Sequence, residues 1–158
     1  MEIVDDPLPP PLPYRIASGK VRARYGELAD AGFQALPDVL LLYQSNVGVS
    51  SEELNVLLNL MAHWYEPDRM PYPSSISIAR RMGVSRRTIQ RVLANLVEKG
   101  FVEKLKPTAA PQAAAYNVEP LLEKFRPFAR HRAAALGRLR PLERDVAQRI
   151  ERPLSTLE

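Results

Sequence analysis

Hydrophobic positions recur at helical spacing in the middle of the chain. Leu54, Leu57, Leu58, Met61 and Trp64 share one face of a helix predicted to run from Ser51 to about Tyr65. Its start is marked three ways: Ser50 as N-cap, Glu53 closing a capping box, and Val49 with Leu54 as a hydrophobic staple. Val56 and Leu60 fall off that stripe and need cover from elsewhere. "EPDRMPYP", residues 66–73, is a proline-broken loop. A short helix follows, capped by Ser74 or Ser75, with Ile78, Ala79 and Met82 facing inward and Arg80 and Arg81 outward. Gly83 suits the left-handed residue that ends it, and Ser85 caps the next helix, whose buried stripe is Ile89, Val92, Leu93 and Leu96. So short a connection forces the two helices to cross at a large angle, and the small Ala79 allows close approach.

After Gly100 the period changes. "FVEKLK" alternates, as a strand does, and "AAYNVEP" is its natural return partner across the loop "PTAAPQA". Pro120 suits a helix start, and Leu121, Leu122, Phe125 and Phe128 continue an apolar face that Pro127 is expected to interrupt. One or two further helices follow, with Phe128, Ala135, Leu136 and Leu139, then Leu142, Val146 and Ile150, as stripes. These either pack back on the domain or pair with a second copy. Towards the N-terminus, "ALPDVLLLY" reads as a short helix or strand, "SGKVRARY" alternates as a strand or basic arm would, and "DDPLPPPLPY" favours an extended polyproline conformation. The expected organisation is an extended, proline-rich and basic arm over residues 1–25, one domain over 26–125, and a C-terminal helical extension over 126–158.

Composition narrows the chemistry. The chain has 158 residues, 46% hydrophobic and 25% charged, enough for one core with a small appendage. It has no cysteine, which excludes disulfides, thiolate metal sites and cysteine nucleophiles. The apolar run Val39 to Tyr43 is far too short to span a bilayer and the acidic start lacks signal-peptide character, so a cytoplasmic protein without membrane contact is expected. His63 and His131 stand in no metal or general-base spacing, and there is no phosphate loop, nucleophile elbow or paired-carboxylate motif. No catalytic residue, metal, cofactor or small-molecule ligand is therefore expected, and the chain does not read as an enzyme. The net charge of +4 is modest, but its distribution is uneven. From Ser74 to Lys106, Arg80, Arg81, Arg86, Arg87, Arg91, Lys99, Lys104 and Lys106 face only Glu98 and Glu103. From Gly26 to Pro73, Glu27, Asp30, Asp38, Glu52, Glu53, Glu66 and Asp68 face only Arg69. One basic and one acidic face are expected, as in a protein that docks on a polyanion in one orientation.

On the second helix of the tight pair, the buried stripe leaves Arg86, Arg87, Gln90 and Arg91 exposed in the first two turns, where a groove-entering helix makes its base contacts. A merely solvated helix more often carries acids there, because the N-terminal end of the macrodipole favours negative charge. Helix, helix, helix and hairpin, in that order, resemble the bacterial winged helix-turn-helix family of plasmid, phage and replication-associated regulators over about Leu36 to Phe125. "PSSISIARRMGVSRRTIQRVLANLVEKGFVEK" also resembles the DNA-binding domain of GntR-type repressors. The resemblance implies a mainly α fold with a small β-hairpin wing plus C-terminal helices. It also implies double-stranded DNA binding with the second helix in the major groove. Ser85, Arg86, Arg87, Thr88, Gln90 and Arg91 would then contact DNA, and Lys104 and Lys106 would face it from the wing. Arg87 and Arg91 suit guanine readout and Gln90 adenine. Arg86, Ser85 and Thr88 suit phosphates, as do Arg80 and Arg81 from the preceding helix. The wing loop departs from the family in carrying no cation, so a weak wing contribution is expected. A homodimer is expected too, since one short helix reads few base pairs. Three functions fit: a repressor occupying an operator, a plasmid or phage replication or partition protein, and a winged helix used for protein contact.

Overall fold

A computed structural model describes residues 18–63, 74–106 and 114–138. The proline-rich 5–14 segment, Trp64 and Tyr65, the 66–73 loop, the 107–113 wing loop, and the stripes of Leu139, Leu142, Val146 and Ile150 lie outside the described residues. The elements are, in order, α1 (Gly19–Tyr25), α2 (Glu27–Asp30), α3 (Asp38–Leu42), α4 (Gln44–Val47), α5 (Ser51–Met61), α6 (Ser75–Met82), α7 (Arg86–Glu98), β1 (Glu103–Lys104), β2 (Tyr116–Asn117) and α8 (Glu119–Ala135). This is the mainly helical order with a hairpin wing that the sequence predicts.

The chain divides into two compact units, Met1–Phe125 and Arg126–Glu158. In the first, Val56, Leu57 and Leu60 of α5 meet Ile78 of α6 and Ile89, Val92 and Leu96 of α7. Phe101, Val102, Val118, Leu121 and Phe125 belong to the same core, as does Leu40 of α3. Each such side chain contributes about 1.5–3 kcal/mol by leaving water. The hairpin is antiparallel, with Glu103 opposite Asn117 and Lys104 opposite Tyr116. The Asn117 side-chain oxygen accepts from the Glu119 amide at 3.0 Å and so leads β2 into α8.

Local chemistry sets the helix ends. Ser50 and Glu53 form the reciprocal capping box, while Ser74 and Ser85 cap α6 and α7 through the amides of Ser77 and Thr88. Gly83 takes φ +65°, and the Val84 amide reaches back to the Ala79 carbonyl at 3.0 Å, which closes α6 and leaves three residues before α7.

Four expectations are corrected. The buried face of α5 is Glu53, Val56, Leu57 and Leu60, and Leu54, Leu58 and Met61 are only partly covered. A charged residue sits in the true stripe, so a search for apolar periodicity selected a face rotated away from it. The helix also stops at Met61 rather than near Tyr65, because the His63 amide bonds the Leu60 carbonyl three residues back and tightens the last turn. Residues 19–25 are helical, not an extended arm: Ser18 caps them, the lysine and arginines are good helix formers, and Arg22 pairs with Asp30 at 2.9 Å. Finally, α8 runs through Pro127 to Ala135. Proline removes the one N–H owed to the carbonyl four residues back and crowds that carbonyl with its ring, a local cost that the hydrogen bonds of the turns on either side carry the helix through.

Candidate nucleic-acid interface

The packing of α7 decides which of its side chains meet solvent. Ile89, Val92, Leu93 and Leu96 are buried, so Arg86, Arg87, Gln90 and Arg91 emerge together on the other side. Arg87 lies at the centre of that exposed face, opposite the stripe, and makes no hydrogen bond or ion pair among the described residues. Arg86 leans towards α6, where its Nε donates to the Ser75 hydroxyl at 3.3 Å. The Ser85 hydroxyl caps the helix and lies 2.9 Å from that of Thr88, so each group holds the other in place at the helix start. Lys104 is exposed on β1 and Lys106 just beyond it.

Between α6, α7 and the wing runs a half-open groove of about 550 Å³, lined among others by Ser75, Ile76, Arg86, Gln90, Val97 and Lys104. The polar and cationic groups stand beside the exposed apolar surfaces of Ile76 and Val97. The trough thus sets an apolar wall beside the cationic heads of Arg86 and Lys104, an arrangement that can hold an anion next to an apolar group. Ile76 and Val97 escaped sequence reasoning because each lies off its helix's main stripe, and the only signal was that they are apolar there.

Charges on the remaining cations are not equally free. Arg91 donates from Nη2 to Glu52 of α5, 3.1 Å from Oε2 and 3.4 Å from Oε1, and both side chains stay partly exposed. Lys99 lies 2.7 Å from Glu53, whose side chain is 6% exposed. Burial alone would raise the Glu53 pKa, but the hydrogen bonds from Lys99 and the Ser50 amide outweigh it and hold the carboxyl below its usual value. Two neighbouring acids of α5 thus pair with Arg91 of α7 and with Lys99 at its C-cap. The separate acidic and basic faces expected from the sequence interleave here, because α5 packs on α7.

Arg81 is a correction as well. It turns inward to the end of α5, with Nη1 3.0 Å from His63 Nε2 and 3.5 Å from Asn59 Oδ1. Burial, reinforced by the Arg81 charge, holds the His63 pKa below its ordinary value, so a neutral imidazole accepts from the guanidinium. Arg81 therefore braces α6 against α5, whereas Arg80 remains exposed as expected.

The segment from Gly48 through the end of α7 to Val102 matches the helix-turn-helix domain family over residues 48–102. Over these residues the chain is similar to a helix-turn-helix domain. None of the curated proteins matches this chain significantly. Among solved structures, the N-terminal domain of the DnaD protein from Geobacillus kaustophilus is 27% identical, with a TM-score of 0.50 over 74% of this chain and 97% of that one. The transcriptional regulator PA3341 is a looser likeness, 20% identical with a TM-score of 0.38 over 84% of this chain and 90% of that one. The helix-turn-helix domain and the winged arrangement around it support DNA binding. Among the described residues no helix is long and apolar enough to cross a membrane, and no cluster of three or more acids and histidines is placed to hold a metal.

Proposed function

We propose that this protein binds double-stranded DNA sequence-specifically, inserting α7 into the major groove, and acts as a transcriptional regulator that represses by occupying its site. The carrying observation is Arg87, a guanidinium with no partner among the described residues, at the centre of the exposed face in the first turn of α7, flanked by Arg86, Gln90 and Arg91. A fork of parallel N–H donors there is suited to the O6 and N7 of guanine. Arg86 and Lys104 beside the groove, with exposed Arg80, supply phosphate contacts, and Lys106 extends the basic edge of the wing. Ser85 and Thr88 add hydroxyls at the helix start. Two copies on a two-fold-symmetric site would double the base pairs read.

A replication or partition role is favoured by one observation, the likeness to the N-terminal domain of DnaD, a replication protein. Selection of bound genome fragments followed by footprinting separates the two. One protected palindrome beside a promoter supports the regulator, and an array of direct repeats supports replication or partition. Equal binding to all fragments at low salt removes sequence specificity, and binding to none removes DNA as the partner.

A further inference from the structure

We propose that Glu52 is the specificity-positioning residue of the interface: it holds Arg91 in the orientation that reads a base and away from the orientation that grips a phosphate. The inference rests on the DNA-binding reading above. Both Glu52 oxygens are served by the single nitrogen Nη2, at 3.1 and 3.4 Å, and Nη1 and Nε of Arg91 make no hydrogen bond among the described residues. One N–H of Nη2 is thereby spent, and its other N–H, with that of Nη1 or Nε, remains as a two-donor edge. Such an edge is what the major-groove side of a guanine accepts.

Stability does not account for the pair. With side-chain exposures of 58% for Arg91 and 43% for Glu52, the bridge is solvent-screened and holds the fold weakly. The neighbouring Glu53–Lys99 pair is the contrast, since there the carboxylate is buried and ties α5 to α7. Glu52 also sits in the first turn of α5, where an acid suits the helix dipole. The dipole explains an acid at that position but not its bond to a recognition-helix arginine 39 residues away.

An acid at a surface that meets a polyanion repels phosphate and lowers affinity, and what it can give in exchange is discrimination. Glu52 gives it by making one Arg91 orientation cheaper than the rest. With the carboxylate in place, turning towards a phosphate of non-cognate DNA costs Arg91 its bond to Glu52 and brings that acid beside the strand, so Glu52 disfavours that orientation. To read a base, Arg91 keeps the carboxylate and offers its free edge.

The test is Glu52→Gln in the full chain, with binding measured by fluorescence anisotropy on the duplex selected by the unaltered protein and on a random duplex, at several salt concentrations. Random-duplex affinity should rise while selected-duplex affinity does not, so that their ratio falls by roughly 5-fold or more, the lower end of what one bidentate base contact supplies. The salt slope on random DNA should steepen by about 0.9, the increment for one added phosphate contact. In an Arg91→Ala background the same substitution should leave the ratio unchanged, because the route through Arg91 is gone. A thermal melt of each variant confirms the fold. An equal gain on both duplexes, no change on either, or the same loss of ratio without Arg91 overturns the proposal while DNA binding stands. Failure of the unaltered protein to bind any duplex overturns the DNA-binding reading and this inference with it.

Discussion

Arg87 and Arg91 are one turn apart on the same helix, yet their surroundings give them different work. Arg87 has no hydrogen bond or ion pair among the described residues, so on the proposed function its replacement with alanine removes a base contact and little else. Loss of about 1–3 kcal/mol on the preferred sequence, with random DNA spared, is the expected result of an anisotropy titration. An equal loss on both would make it a phosphate contact. Lys99 carries the same charge but serves the fold. Lys99→Met leaves the buried Glu53 carboxylate without its cation and should cost about 1–3 kcal/mol in urea unfolding, discounted for the half-exposed lysine. No local pattern separates these three cations. Each role depends on whether α5 brings a carboxylate within reach, and that is a matter of packing. Arg81 makes the same point, since its helical position predicts an outward side chain and His63 draws it in.

At the scale of elements, the tight pair α6–α7 was largely readable from sequence, because its determinants act over three or four residues. Ser74, Gly83 and Ser85 each do what their types and spacing foretell. Gly83 at φ +65° is the sharpest case: an added Cβ would meet no atom within 4 Å, so the whole cost of Gly83→Ala is backbone strain. About 1–2 kcal/mol of lost stability is expected by chemical unfolding. A neutral result would mean that the turn relaxes out of the left-handed region. The hairpin too was visible, as a change from helical to alternating period. Where the sequence misled, the signal was ambiguous in itself. Alternating cations in residues 20–24 fit a strand edge as well as a solvated helix, and a proline in α8 marks a boundary only when neighbouring turns cannot carry the helix through.

For the molecule as a whole, acid should expose the two braces between helices. The folded His63 pKa lies below its usual 6.5, so below that pH the unfolded chain takes up the proton first and stability falls until the folded imidazole also protonates. Glu53, held below 4.5, stabilises fully above that value, and its contribution is lost as pH falls through the folded pKa. Thermal melts should therefore show one decline starting below about pH 6.5 and another below about pH 4.5, and His63→Gln should remove only the first. A profile in which that variant still loses stability between pH 6.5 and 5 would place the titrating group elsewhere. By itself the sequence determined the caps, the glycine turn, the buried stripe of α7 and the exposure of its leading arginines, since these follow from contacts within a helical turn or two. Only the tertiary structure decided which face of α5 is buried and which cations are free. The partners of Arg91 and Lys99 lie 39 and 46 residues away, and only the docking of one helix on another brings such charges together.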